Sequence, residues 1–187
     1  MDLIVSLIAR EFPVSRSRLM GLGGIIDSAR IKSAVSRRLL ISSENISAMV
    51  IGRHTEEMIT LTGYARVSGV PLSILMEEQD IEAIIDEARE AGRVLAELSE
   101  CPGTYYTPSA AAADVVDAIH MDLKRILPLS IELNGEYGIH GAALSLPCVV
   151  GKSGVERVMT PALTPAQKGA LSASAQTLKG IIAEYRP

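Results

Sequence analysis

The sequence predicts an α+β fold, with residues 1–187 forming one domain. Three observations lead there. Residues 79–99 carry apolar side chains at helical spacing over some twenty positions, the mark of a long amphipathic helix. Residues 126–133 and 142–150 are apolar runs of strand length, with the turn signal Asn134-Gly135 between them. Helical and strand-like stretches alternate without a regular βαβ period, and no internal repeat or low-complexity linker divides the chain.

The elements follow in order. Leu3, Ile4, Leu7 and Ile8 recur at helical spacing, and Pro13 ends that helix. Leu19-Met20-Gly21 reads as a short strand. A Gly-rich turn at 21–24 leads into a second helix, expected from about Ser28 to Leu40 with Ile31, Ala34, Val35, Leu39 and Leu40 on its apolar face. Ile46 to Ile51 reads as one buried strand that Gly52 breaks, because a glycine takes backbone angles closed to other residues. Residues 58–64 fit helix or strand equally, and Gly69-Val70-Pro71-Leu72 reads as a turn. The long helix runs from Gln79 to Ser99, with Ile81, Ile84, Ile85, Ala88, Val94, Leu95 and Leu98 inward, until Cys101-Pro102-Gly103 stops it. Thr107-Pro108 opens an Ala-rich helix reaching about Lys124, with Pro at its first position. After the two buried strands, Lys152-Ser153-Gly154 turns the chain into a strand over 155–159. Thr164-Pro165-Ala166-Gln167 is a capping box for a last helix with Leu171, Leu178, Ile181 and Ile182 inward.

Composition excludes several classes. Apolar residues are 48% and charged ones 21%, as in a soluble globular chain. The net charge of −4 and the lack of Trp argue against a nucleic-acid or anionic-membrane partner. No run approaches a membrane span, and Asp2 stands where a signal peptide would want positive charge. Cys101 and Cys148 are far apart and read as reduced thiols of a cytoplasmic protein. His54, His120 and His140 have no metal-ligand spacing, so no metal is expected. Gly21-Leu22-Gly23-Gly24-Ile25-Ile26 falls short of a dinucleotide fingerprint, because Ile26 stands where the third glycine should be.

Two stretches carry candidate chemistry. His54 lies just past a strand end, on a loop with rigid support behind it, and a histidine there can take and return a proton; a plain surface histidine fits the same residues. Asp27 and Arg30, three apart, share one helical face. They suit an N-cap and a solvated cation, or a carboxylate that orients His54 and a guanidinium that forks onto a substrate carboxylate. Spacing alone cannot bring Asp27 to His54.

In chain order the sequence contains Gly21-Leu22-Gly23-Gly24 and Asp27-Ser28-Ala29-Arg30, then Gly52-Arg53-His54-Thr55-Glu56-Glu57-Met58, then Gly69-Val70-Pro71-Leu72, Thr104-Tyr105-Tyr106-Thr107-Pro108 and Gly135-Glu136-Tyr137-Gly138-Ile139. These ordered motifs resemble the carboxyl-terminal, substrate-binding half of the lactate/malate dehydrogenase family, and its malate branch more than its lactate branch. The resemblance implies a mixed antiparallel sheet packed with long helices, without the Rossmann half. It implies NAD- or NADP-dependent interconversion of (S)-malate and oxaloacetate, the tricarboxylic acid cycle reaction, in a cytoplasmic homo-oligomer (dimer or tetramer) acting on a small dicarboxylic or 2-hydroxy acid. By the same resemblance His54 is the proton-shuttling histidine and Asp27 its partner. Arg30 grips the substrate carboxylate, and Thr104 lines the substrate pocket. Cofactor-binding residues are not assigned, because that site belongs to the family's other half, which is not in this chain. Nor is the mobile loop whose arginine separates malate from lactate. The isolated chain is therefore expected to be inactive. A lactate dehydrogenase-type enzyme and a non-catalytic oligomer-forming domain are the alternatives. The chain departs from the family at Thr55 and Glu56, usually Gly and Asp, at Arg53, and at Ile31-Lys32, commonly Phe-Arg.

Overall fold

A long antiparallel hairpin is the floor of the molecule. A computed structural model describes residues 1–98 and 105–185. Its helices are α1 (Asp2–Glu11), α2 (Gly23–Leu39), α3 (Leu72–Leu75), α4 (Glu78–Leu98), α5 (Tyr106–His120) and α6 (Pro165–Glu184). Its strands are β1 (Ile46–Ser47), β2 (Val50–Ile51), β3 (Ile59–Thr60), β4 (Arg66–Val67), β5 (Val70–Pro71), β6 (Arg125–Asn134), β7 (His140–Gly151) and β8 (Gly154–Val158). The expected α+β class is what the structure has. β6, β7 and β8 form one antiparallel sheet in that order, with Leu129 opposite Leu146 and Ile131 opposite Leu144. The central residues of both long strands are buried, since helices α1, α2, α5 and α6 pack on this sheet. That is why the strands read as continuous apolar runs rather than as an alternating pattern.

α2 is the spine between two cores. Its Ile25 and Ile26 join the core built on β6 and β7. Its Ile31, Ala34 and Val35 join a second core with Val50, Met58, Ile84 and Ala88, which seats α4. The capping box at Thr164 and Gln167 forms as expected, with Pro165 opening α6. Among the described residues no helix is long and apolar enough to cross a membrane.

Several local expectations are corrected. Leu19 and Met20 are not in a strand; only Gly21 pairs, through both its N–H and C=O, with Ser130. α2 begins at Gly23 rather than Ser28, so the glycines 23 and 24 belong to its first turn. They are there for close approach: a Cβ at Gly24 would lie 2.7 Å from the Pro128 carbonyl oxygen. The single strand expected over 46–51 is two, since β1 pairs with β4 while β2 pairs with β3. The turn near Gly69 lies one step earlier, at Ser68 and Gly69, both with positive φ; Val70–Pro71 is the returning strand. Pro108 is the third residue of α5 rather than its first, and the helix stops at His120, four residues before Lys124. Val94 and Ile181, expected inward, are 40% and 37% exposed, because each sits at the edge of its helix's apolar stripe. The Cys101-Pro102-Gly103 stop lies outside the described residues.

Candidate active site

The site is built where α2 meets the loop after β2. Gly52 has φ +88° and exchanges both backbone hydrogen bonds with Ser145 of β7, each at 2.9 Å. The loop therefore leaves the sheet from a fixed point. Thr55, which stands where the family usually has Gly, is not among the positive-φ residues, so its branched side chain meets no left-handed backbone. Its hydroxyl instead accepts the Glu57 amide at 3.2 Å.

Folding brings Asp27 and His54 together across 27 residues of sequence. Nδ1 of His54 lies 2.8 Å from Oδ2 of Asp27. An ionised carboxylate only accepts, so Nδ1 is the donor, and in the neutral ring Nε2 carries the lone pair. The Asp27 side chain is 4% exposed and that of His54 is 26%, so the pair runs from the interior outward. Asp27 is inside α2, one turn from its start, and is not an N-cap. Arg30, also on α2, has Nη1 3.4 Å from the other Asp27 oxygen, Oδ1, and its side chain is 18% exposed. Its Nε is buried and meets no acceptor among the described residues. The guanidinium thus keeps unused donors. Asp27, Arg30 and His54 line one open cleft of about 480 Å³, to which Arg89, Gly92 and Arg93 of α4 also contribute. A larger recess, about 1000 Å³, lies beside Glu77, Glu78, Asp80 and Glu82; it holds no His–Asp pair and its acids would repel a carboxylate.

Of the four residues singled out by sequence, the structure joins Asp27, His54 and Arg30; Thr104 lies outside the described residues. Three further residues shape the site beyond the four singled out by sequence, although Gly23 lies within the Gly-rich motif quoted there. Asp2, 3% exposed, accepts the His54 backbone N–H at 2.8 Å through Oδ2. A Cβ at Gly23 would lie 2.5 Å from the His54 Cβ, so only glycine lets the loop rest on α2. A Cβ at Gly92 would come within 3.4 Å of Arg30 Nη2. Each acts through a partner tens of residues away, so no local pattern could flag it. The unusual Arg53 turns to Glu57 at 3.3 Å, and Glu57 also accepts the Ser174 hydroxyl at 2.9 Å, which ties the loop to α6.

The chain is similar to known proteins along nearly its whole length. Residues 25–186 match the family described as lactate/malate dehydrogenase, alpha/beta C-terminal domain. The malate dehydrogenase of Chloroherpeton thalassium is 34% identical over 175 residues, covering 94% of this chain and 56% of that protein. The malate dehydrogenase of Roseiflexus sp. is 33% identical over 186 residues, covering all of this chain and 60% of that one. Among solved structures, the malate dehydrogenase from Aeropyrum pernix superposes with a TM-score of 0.94 at 34% identity, over 100% of this chain and 62% of its own. The lactate dehydrogenase from Cryptosporidium parvum, solved with lactic acid and nicotinamide adenine dinucleotide, superposes at 0.92 and 27% identity, over 99% of this chain and 61% of its own. The chain thus spans a little more than half the length of the relatives it matches.

Proposed function

The chain belongs to the lactate/malate dehydrogenase family as its alpha/beta C-terminal domain, and from that premise we propose that residues 1–187 are the substrate-handling domain of an NAD(P)-dependent malate dehydrogenase interconverting (S)-malate and oxaloacetate. The observation that carries the reading is the His54–Asp27 pair at 2.8 Å with Arg30 beside it in one cleft. His54 Nε2 takes the proton of the substrate hydroxyl as the C2–H bond is oxidised, and returns it in the reverse direction. Asp27 holds the tautomer and stabilises the imidazolium that forms. Arg30 receives the substrate carboxylate on donors that Asp27 leaves free, so the hydroxyl is aimed at the ring. Thr104 is assigned to the pocket wall by resemblance.

NAD or NADP supplies the hydride acceptor when bound, and the described residues do not fit its nucleotide. At the glycine-rich turn that opens α2, the Gly21 amide is taken by the Ser130 carbonyl and the Gly24 amide by the Ser145 hydroxyl. Two of the amides a pyrophosphate would use at that turn are therefore already bonded. This chain's share of the reaction is therefore the proton and the carboxylate. A lactate-type enzyme is the second reading, favoured by the likeness to the Cryptosporidium parvum lactate dehydrogenase; the domain in either case works within a homo-oligomer.

The test joins the chain behind the amino-terminal portion of the Chloroherpeton thalassium malate dehydrogenase and follows NADH absorbance with oxaloacetate or pyruvate. The isolated chain should give no rate above buffer. The joined protein should reduce oxaloacetate faster than pyruvate, and His54→Asn should remove most of that rate. A joined protein that folds and binds NADH, yet turns over no faster than its His54→Asn variant, would overturn the assignment.

A further inference from the structure

We propose that Asp2 is a positioning residue for His54, its buried carboxylate setting the loop backbone at the height where Asp27 can hold the ring. The role rests on the reading of His54 as the proton carrier, but the geometry stands by itself. Asp2 lies in the first turn of α1, where a helix N-terminus favours negative charge. The carboxylate does not cap its own helix. Oδ2 reaches across 52 residues of sequence to accept the His54 N–H at 2.8 Å, and Oδ1 is buried and meets no donor among the described residues. A buried carboxylate with one empty oxygen is a costly way to make a core. Its one good bond therefore marks what the group is placed for.

The base of this strut is rigid. The Ser6 hydroxyl donates to the Asp2 carbonyl at 2.9 Å and accepts the Ala143 amide of β7 at 2.8 Å. The other end of α1 is tied down by Arg10, whose Nη1 donates to the Ile182 carbonyl of α6 at 3.0 Å. Ser145, two residues along β7 from Ala143, holds Gly52. The His54 loop is thus referred to one strand by two routes, Ser145–Gly52 before the histidine and Ala143–Ser6–Asp2 at it. Gly23 closes the third side against the His54 Cβ. With Asp2 removed, Gly52 still anchors the strand end, but the backbone at His54 is free to swing and the 2.8 Å bond to Asp27 loses its fixed geometry.

The experiment uses the chain as it stands and needs no turnover. Amide hydrogen exchange at His54 and the Nδ1 proton resonance of its ring are measured by NMR in the parent, Asp2→Ala and Asp2→Asn, with thermal melts alongside. In Asp2→Ala, exchange at the His54 amide should quicken by roughly ten-fold or more while core amides of β6 and β7 keep their protection, and the ring proton should broaden or vanish. Asp2→Asn retains an acceptor oxygen and should restore both signals. Unchanged His54 exchange and an intact ring proton in Asp2→Ala would overturn the inference. So would an Asp2→Asn variant whose His54 signals are lost. If Asp2→Ala does not fold, Asp2→Asn decides in the same way. An inactive joined protein with these Asp2 effects intact would sink the functional reading and leave the positioning role in place.

Discussion

Gly23→Ala tests the site's construction most directly. A Cβ at this position would lie 2.5 Å from the His54 Cβ and 2.8 Å from its Cγ. Ordinary carbon contacts lie near 3.5–4.0 Å, so roughly 1 Å must be found. Neither side has it to give. α2 cannot retreat, because the Pro128 carbonyl already presses on Gly24, and the loop is tied at Gly52. Overpacking of this kind costs about 1–3 kcal/mol. The gain in helix propensity from Gly to Ala returns at most about 1 kcal/mol, and less at a first helical position. The net loss should be about 1–2 kcal/mol, which for a chain of this size lowers Tm by roughly 2–8 °C. The same shift should pull His54 off Asp27. Urea unfolding gives the first quantity and the His54 Nδ1 proton resonance the second. An unchanged or raised midpoint with the ring proton intact would refute the close approach itself.

Four further outcomes are expected. In the joined protein, Arg30→Lys keeps the charge and loses the fork, so kcat/KM for malate should fall by roughly ten- to several-hundred-fold while NADH affinity, by fluorescence titration, stays at the parent value. Burial alone would raise the Glu136 carboxyl, but the hydrogen bond from Arg16 and those from backbone amides outweigh it and hold it below its usual 4.5. A depressed carboxylate contributes its stability above the unfolded value and loses it as pH falls through the folded one. Arg16→Ala should therefore lower stability by about 1 kcal/mol at pH 7, with the gap narrowing in urea melts below about pH 4.5. Burial pushes the Cys148 thiol up to about 12, so iodoacetamide at pH 8 should spare Cys148 in the native chain and label it in urea, read by peptide mass. Tyr106 and Val116 on α5 are 93% and 61% exposed, and light scattering should find the isolated chain self-associated; a stable monomer would count against it.

Much of this architecture was legible in the residues. Apolar runs of strand length located β6 and β7, helical spacing located α1 and α4, and the Thr164–Gln167 capping box located the start of α6 within a residue, because each signal is local. The candidate site residues Asp27, Arg30 and His54 were also visible, as types set on a helix face and a loop after a strand. Their meeting was not. Asp27 reaches His54 only because two glycines let α2 lie against Pro128 and the His54 loop, and local pattern reads such glycines as a turn. The same reason hid the split of residues 46–51 into β1 and β2, whose partners β4 and β3 lie elsewhere in the chain. Asp2 is the sharpest case. By sequence it is an acid at a helix start; by structure its carboxylate supports the His54 backbone 52 residues away. Periodicity and capping are properties of neighbours along the chain, whereas close approach and a hydrogen bond to a distant amide exist only once the chain has packed.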